Sequence, residues 1–315
     1  MGLAESSEAA LECLGVKHGD SVAVVFNSPQ RSIADALAEA ANRRASSVTL
    51  LEFAPTSRHG EEPPAAVGDA MVAADVVLAP TSNSLSMTEA RQAATRRGVR
   101  VATLPMVSED IFVRTLPIDY AELKRVSESV AARLTAAMSA RVTSPAGTDI
   151  VVSLEGRVGR SDDGELQTSG AFGNLPAGEG YIAPIEKAGN GTIVIDGSLA
   201  GYSRLEEPVR ISVRDGRAVE ASGDAGRWLI ETLTAGGEHG RSLAELGIGT
   251  NPAAGLSGNV LEDEKAIGTA HFAFGANRGL GGANAATVHI DGVMLRVSVE
   301  VDGEALLKDG RLILR

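Results

Sequence analysis

The sequence predicts an α/β protein in two parts: an N-terminal parallel-sheet α/β domain over residues 1–142, then a strand-rich α+β domain over residues 143–315. Three observations predict this. Short valine-rich apolar runs alternate with helical patterns in the first part, as in parallel sheets covered on both faces. Glycine and proline punctuate short alternating runs in the second. The 315 residues also exceed a usual single domain of about 100–200.

Ser21–Phe26 reads as the first strand and Ser32–Arg44 as the helix after it. Strand Val48–Phe53, a helix near Ala65–Ala74, strand Val76–Ala79, helix Met87–Arg97 and strand Val99–Leu104 repeat the pattern, and a long helix, Tyr120–Met138, leads away. Ser86 and Glu89 have the spacing of a capping box, and Gly98 stands at that helix's end. The first strand-to-helix turn, Asn27-Ser28-Pro29-Gln30-Arg31-Ser32, contains no glycine, so neither dinucleotide nor nucleotide phosphate is provided for. A scaffolding, oligomerising or substrate-shaping role is expected of this domain. Beyond the boundary in residues 139–147, strands are expected at Ile150–Leu154, Gly191–Ile195, Val209–Val213, Ala270–Phe274, Thr287–Val301 and Leu306–Leu314, with one helix at Ala225–Leu233.

Composition excludes several functions. Hydrophobic residues make up 43% and can form a core, but aromatics are only 3%, with Trp228 the single tryptophan, which leaves little for base stacking. A net charge of -12 repels phosphate backbones and anionic membrane surfaces, so neither nucleic acid nor membrane is an expected partner. Split at residue 142, the charge is -3 before and -9 after, which concentrates carboxylates in the half where cations or amine substrates would bind. Cys13 alone permits no intramolecular disulfide or multi-cysteine metal site, and a cytoplasmic location is expected.

The second half carries the chemistry. In Thr287–Asp291, strand alternation puts His289 and Asp291 on one face, a pair of ligands for one divalent metal. His271 sits in an otherwise apolar strand, where a buried imidazole needs a partner or a metal. Glu262-Asp263-Glu264-Lys265 precedes it, a run that by itself reads as a solvated loop. Glu245 lies before a glycine-rich stretch, and Glu179 between glycines that permit close backbone approach. Nitrogen and oxygen donors without thiolate suit zinc, cobalt, manganese or iron(II).

The order of motifs N-L-P-x-G-E, G-T-I-V-I-D-G, E-L-G-x-G-T-N-P, D-E-K-x-x-G-T-x-H-x-A-F-G, G-G-x-N and H-x-D-G-V resembles the aminopeptidase T and aminopeptidase S family of metallo-aminopeptidases, well over about residues 155–304 and by general α/β pattern before that. The resemblance implies two divalent ions (Zn, Co or Mn) held by Glu179, Glu245, His271, His289 and Asp291, with Glu264 as general base, a small-molecule or short peptide substrate, and a homodimer. Arg278 occupies the position where the peptidases have a tyrosine, a candidate donor to a tetrahedral oxyanion, and is carried with Glu264 as a catalytic position. The sequence is also similar to the 2,5-dihydroxypyridine 5,6-dioxygenases, which hold one Fe(II) with two histidines and a carboxylate. In those enzymes a histidine stands at the position of Glu245. A glutamate here, with Glu179 and His271 present, sides with the dimetal hydrolases. Related hydrolytic deaminases of nitroaromatic amines imply that a member can act on substrates other than peptides. A non-catalytic module would be expected to lack ligands, and none of the five is missing.

Overall fold

A computed structural model describes residues 2–314. It contains two compact units. The first runs to Tyr120 and takes up Gly164–Ala177; the second comprises Ala121–Asp163 and the chain from Gly178.

The first unit is built on a five-stranded parallel sheet in the order Ser47–Glu52, Ser21–Phe26, Val76–Thr81, Arg100–Pro105, Phe172–Asn174. Every residue of Val76–Thr81 and Arg100–Pro105 is buried, as strands covered on both faces must be. Helix Arg31–Asn42 buries Ile33, Ala34, Leu37, Ala38 and Ala41, the spacing of one helical face. Helices Leu3–Cys13 and Glu109–Thr115 were not expected from the sequence. The expected capping box at Ser86 does not form. Helix Glu89–Arg96 is capped by Thr88, whose hydroxyl accepts from the Arg91 amide at 3.2 Å, while Ser86 hydrogen-bonds Ser84 and Thr103. Gly98 does take the left-handed conformation after the helix, with φ of 90°.

The second unit has two antiparallel sheets. One is eight-stranded, in the order Arg217–Ala221, Val209–Arg214, Gly189–Ile195, Asp149–Ser153, Ser139–Thr143, Ser298–Val301, Glu304–Lys308, Arg311–Leu312. The other is seven-stranded, in the order Ser203–Arg204, Ser198–Leu199, His289–Met294, Ala270–Gly275, Leu243–Gly249, Glu179–Ile182, Arg160–Asp162. Ile150, Val152, Ile193 and Ile211 of the first share one core with Leu246, Ile248, Phe272, Phe274 and Ile290 of the second. Helices Tyr120–Ala136 and Gly223–Ala235 add Val130, Leu134, Leu229 and Leu233. Burying each such aliphatic or aromatic side chain contributes about 1.5–3 kcal/mol.

The units therefore do not divide at residues 142 and 143. The long helix packs into the second core from Val130 onward, and Gly164–Ala177 returns to add an edge strand to the first sheet. Thr287–Val301, expected as one strand, is two, because the chain turns at Arg296 with φ of 49°. Among the described residues, no helix is long and apolar enough to cross a membrane.

Candidate metal centre

The seven-stranded sheet sends one set of side chains into the core and the alternate set to its other face. Leu246, Ile248, Phe272, Phe274 and Ile290 take the core side, so Glu245, Gly247, His271, Ala273, His289 and Asp291 take the opposite one. Register aligns them: Glu245 stands opposite Ala273 and Ala273 opposite Asp291, while Gly247 stands opposite His271. Glu179 joins from the neighbouring strand, opposite Gly249.

All five expected ligands come together. Ligand atoms of Glu179, Glu245 and His271 lie within 4.8 Å of one another, and so do those of Glu245, His289 and Asp291. Glu245 belongs to both groups. His271 Nε2 is 3.3 Å from Glu179 Oε2 and 3.7 Å from Glu245 Oε1; His289 Nε2 is 3.1 Å from Glu245 Oε2 and 3.3 Å from Asp291 Oδ1. The other nitrogen of His289, Nδ1, lies 2.7 Å from the Ala276 carbonyl. A carbonyl only accepts, so Nδ1 carries the proton and Nε2 is left to face the cluster.

Small residues make the room. A Cβ on Gly247 would fall 2.2 Å from Cε1 of His271, so the imidazole lies over bare backbone.

Glu264 enters from above the sheet. Helix Val260–Asp263, capped by Asn259 Oδ1 on the Leu261 amide at 3.1 Å, leads into Glu264 and Lys265. The run Glu262–Lys265 is buried throughout, not solvated. Ligand atoms of Glu264, His271 and Asp291 form a third group within 4.8 Å. Lys265, 1% exposed, places Nζ 2.5 Å from Glu179 Oε1, 3.0 Å from Glu264 Oε1 and 3.4 Å from Asp162 Oδ2. Lys265 and Asp162 received no role from the sequence. The lysine was hidden in a charge run, and Asp162 lies on a polar three-residue strand.

Arg278 is not in the cluster. It lies in the exposed turn Arg278–Leu280, and no hydrogen bond or ion pair ties its side chain to the acids and histidines among the described residues.

The electrostatics are those of a cation site. Burial lowers the His271 imidazole, but Glu245, Glu179 and Glu264 outweigh it and push it up to about 9. His289 rises well above its usual value against the same penalty, through Asp291 and Glu245. Burial would raise Glu245, yet hydrogen bonds from both imidazoles hold it far below the carboxylate range. Burial pushes Glu264 up to about 8 and Asp162 up to about 7, in each case against Lys265. Protons on the imidazoles thus occupy the place that metal cations fit. One buried atom supports the fit: Glu179 Oε2, which faces His271 Nε2 at 3.3 Å, makes no hydrogen bond. Four carboxylates, of Glu179, Glu245, Glu264 and Asp291, converge with the two imidazoles beside Lys265, a donor set that suits divalent cations. Glu179, Glu245, His271, His289 and Asp291 would hold them.

Comparison with known proteins agrees with the motif order. The solved structure of a 2,5-dihydroxypyridine dioxygenase from Pseudomonas putida KT2440 superimposes with a TM-score of 0.83 at 20% identity, covering 99% of this chain and 97% of that one. Wild-type AmpT from Thermus thermophilus gives 0.77 at 21% identity, covering 98% and 99%. At these identities the likeness is one of fold. No curated protein sequence matches the chain. Residues 2–314 match the family described as NicX, 2,5-dihydroxypyridine 5,6-dioxygenase, and the chain belongs to that family.

Proposed function

We propose that this member of the family is a metal-dependent hydrolase that cleaves an amide, or removes an amine from carbon, in a small substrate. The observation that carries the reading is Glu245, one carboxylate shared by two His/carboxylate groups that each suit a divalent ion. Bound there, two divalent ions supply Lewis acidity and lower the pKa of a water. The chain's own groups divide the remaining work. Glu264, its Oε1 held by Lys265, is positioned to take a proton from attacking water and return it to the leaving amine. Lys265 fixes Glu179 and Glu264 relative to each other. Ala276, through its carbonyl, orients His289.

Metal analysis of reconstituted protein tests the reading: close to two divalent ions per chain are expected. Glu264→Gln should keep both ions while turnover of aminoacyl amides or aromatic amines falls roughly 10²- to 10⁴-fold.

A second reading is favoured by the family match over residues 2–314: a ring-cleaving dioxygenase using one Fe(II) on His289, Asp291 and a third donor. One ion per chain, with activity that requires oxygen and Fe(II) and ignores Glu264→Gln, would establish it and remove the hydrolase.

A further inference from the structure

The rim of this acidic cluster carries two arginines without carboxylate partners. Arg160 stands in register with Tyr181, Tyr181 with Gly247, and Gly247 with His271. Directly opposed residues share a face, so this row runs from Arg160 to His271 along the cluster side of the sheet. Adjacent strands are about 4.8 Å apart, so three steps put the two Cα atoms roughly 14 Å from each other. An arginine side chain covers part of that gap and a small molecule the rest, with the Tyr181 ring between them.

The turn bearing Arg278 reaches the same edge. A Cβ on Gly281 would lie 3.9 Å from an Arg160 guanidinium nitrogen, and Arg157 donates to the Gly281 carbonyl. The turn is fastened to the site's own backbone. Asn277, which is buried, donates to the Ala244 carbonyl at 3.4 Å, next to Glu245, and accepts from the Asn284 amide at 2.8 Å. Ala276 holds His289. Arg157 is matched by Glu186, whereas Arg160 and Arg278 form no ion pair among the described residues, in a chain of net charge -12. Both are exposed.

The geometry points to an anion subsite: Arg160 and Arg278 hold the carboxylate of a small substrate whose amide or amine nitrogen is turned toward the cluster. The nature of the reacting group rests on the hydrolase reading; the carboxylate does not. A carboxylate placed among Glu179, Glu245 and Glu264 would be repelled, and guanidinium groups at the rim fix which end of the molecule enters. The substrate class is then an amino- or amido-substituted carboxylic acid.

Calorimetric titration of the metal-loaded full chain with benzoate and with benzamide, near-isosteres that differ in charge, tests the subsite. Benzoate should bind tighter than benzamide. Arg160→Gln and Arg278→Gln should each weaken benzoate roughly tenfold or more while leaving benzamide unchanged. Arg278→Lys should recover part of the loss, which separates lost charge from a disturbed turn. Equal affinity for the two probes, or benzoate affinity that survives both glutamine variants because the carboxylate sits on the metals instead, would overturn the proposal. Benzoate binding that depends on both arginines in a protein that hydrolyses nothing with any metal would uphold the subsite and remove only the hydrolase.

Discussion

Val76–Thr81 in the parallel sheet and Ala270–Gly275 in the seven-stranded sheet have the same length, and every residue of both is buried. The first is apolar through Val76, Val77, Leu78 and Ala79. The second alternates, with Phe272 and Phe274 in the core and His271 on the other face beneath Glu179 and Glu245. Burial on both faces therefore does not require two apolar faces. It requires that whatever lies on the second face be matched, by apolar contacts in one sheet and by opposite charge in the other.

Removing the shared carboxylate should have the largest effect on this difference. Glu245→Ala takes a ligand from both groups, so metal content should fall from two ions toward none, and activity by more than the 10- to 100-fold typical of an outer-sphere partner. Mass spectrometry under native conditions reads the first and steady-state rates the second. Lys265→Met should come next. It breaks a buried ion pair and leaves Glu179, Glu264 and Asp162 facing one another, at a cost of about 3–5 kcal/mol in the metal-free protein. The loss in Tm should shrink on adding Zn or Mn, since the cations take over neutralisation; an equal loss with and without metal would count against the cation site. Leu78→Ala in the parallel sheet should cost about 2–5 kcal/mol by chemical denaturation while ion stoichiometry stays unchanged, because only an apolar face is damaged.

The smallest effect belongs to Asp75, whose carboxylate accepts from the Ser21 amide at 2.8 Å and the Ser21 hydroxyl at 2.7 Å. The backbone and side-chain hydrogen bonds from Ser21 hold Asp75 below the usual carboxylate range. Its stabilisation is present above the unfolded value of about 3.9 and is lost as pH falls through the lower folded one. Asp75→Asn should cost about 0.5–1.5 kcal/mol near neutrality, and the gap between the two denaturation curves should close in acid.

The parallel sheet was legible in the sequence because its strands are continuous apolar runs, correct at Ser21–Phe26 and displaced by a residue or two elsewhere. The pairing of His289 with Asp291 was legible from alternation alone. Leu243–Gly249 was not, since Gly247 and Gly249 weaken a strand pattern, although those glycines admit the His271 ring and the Ala266 carbonyl. Phe172–Asn174 is too short to carry a period. Glu262–Lys265 misled in the other direction: four charged residues in a row look solvated until their partners are known, the nearby amides of Gly255 and Ser257 for Glu262 and Asp263 and the distant Asp162 and Glu179 for Lys265.

Gly247 and its neighbours across the sheet also bear on how the chain reaches its native state. The five donors come from four strands that neighbour one another in chain order but are spread from Glu179 to Asp291, so no local segment can assemble the centre early. A slip of one residue in His289–Met294 would turn His289 and Asp291 into the core and Ile290 out of it. A cation bound by these five residues would therefore act as a proofreading signal: only a chain with all four strands aligned could hold it tightly, and binding would draw the population of misaligned chains toward the correct one.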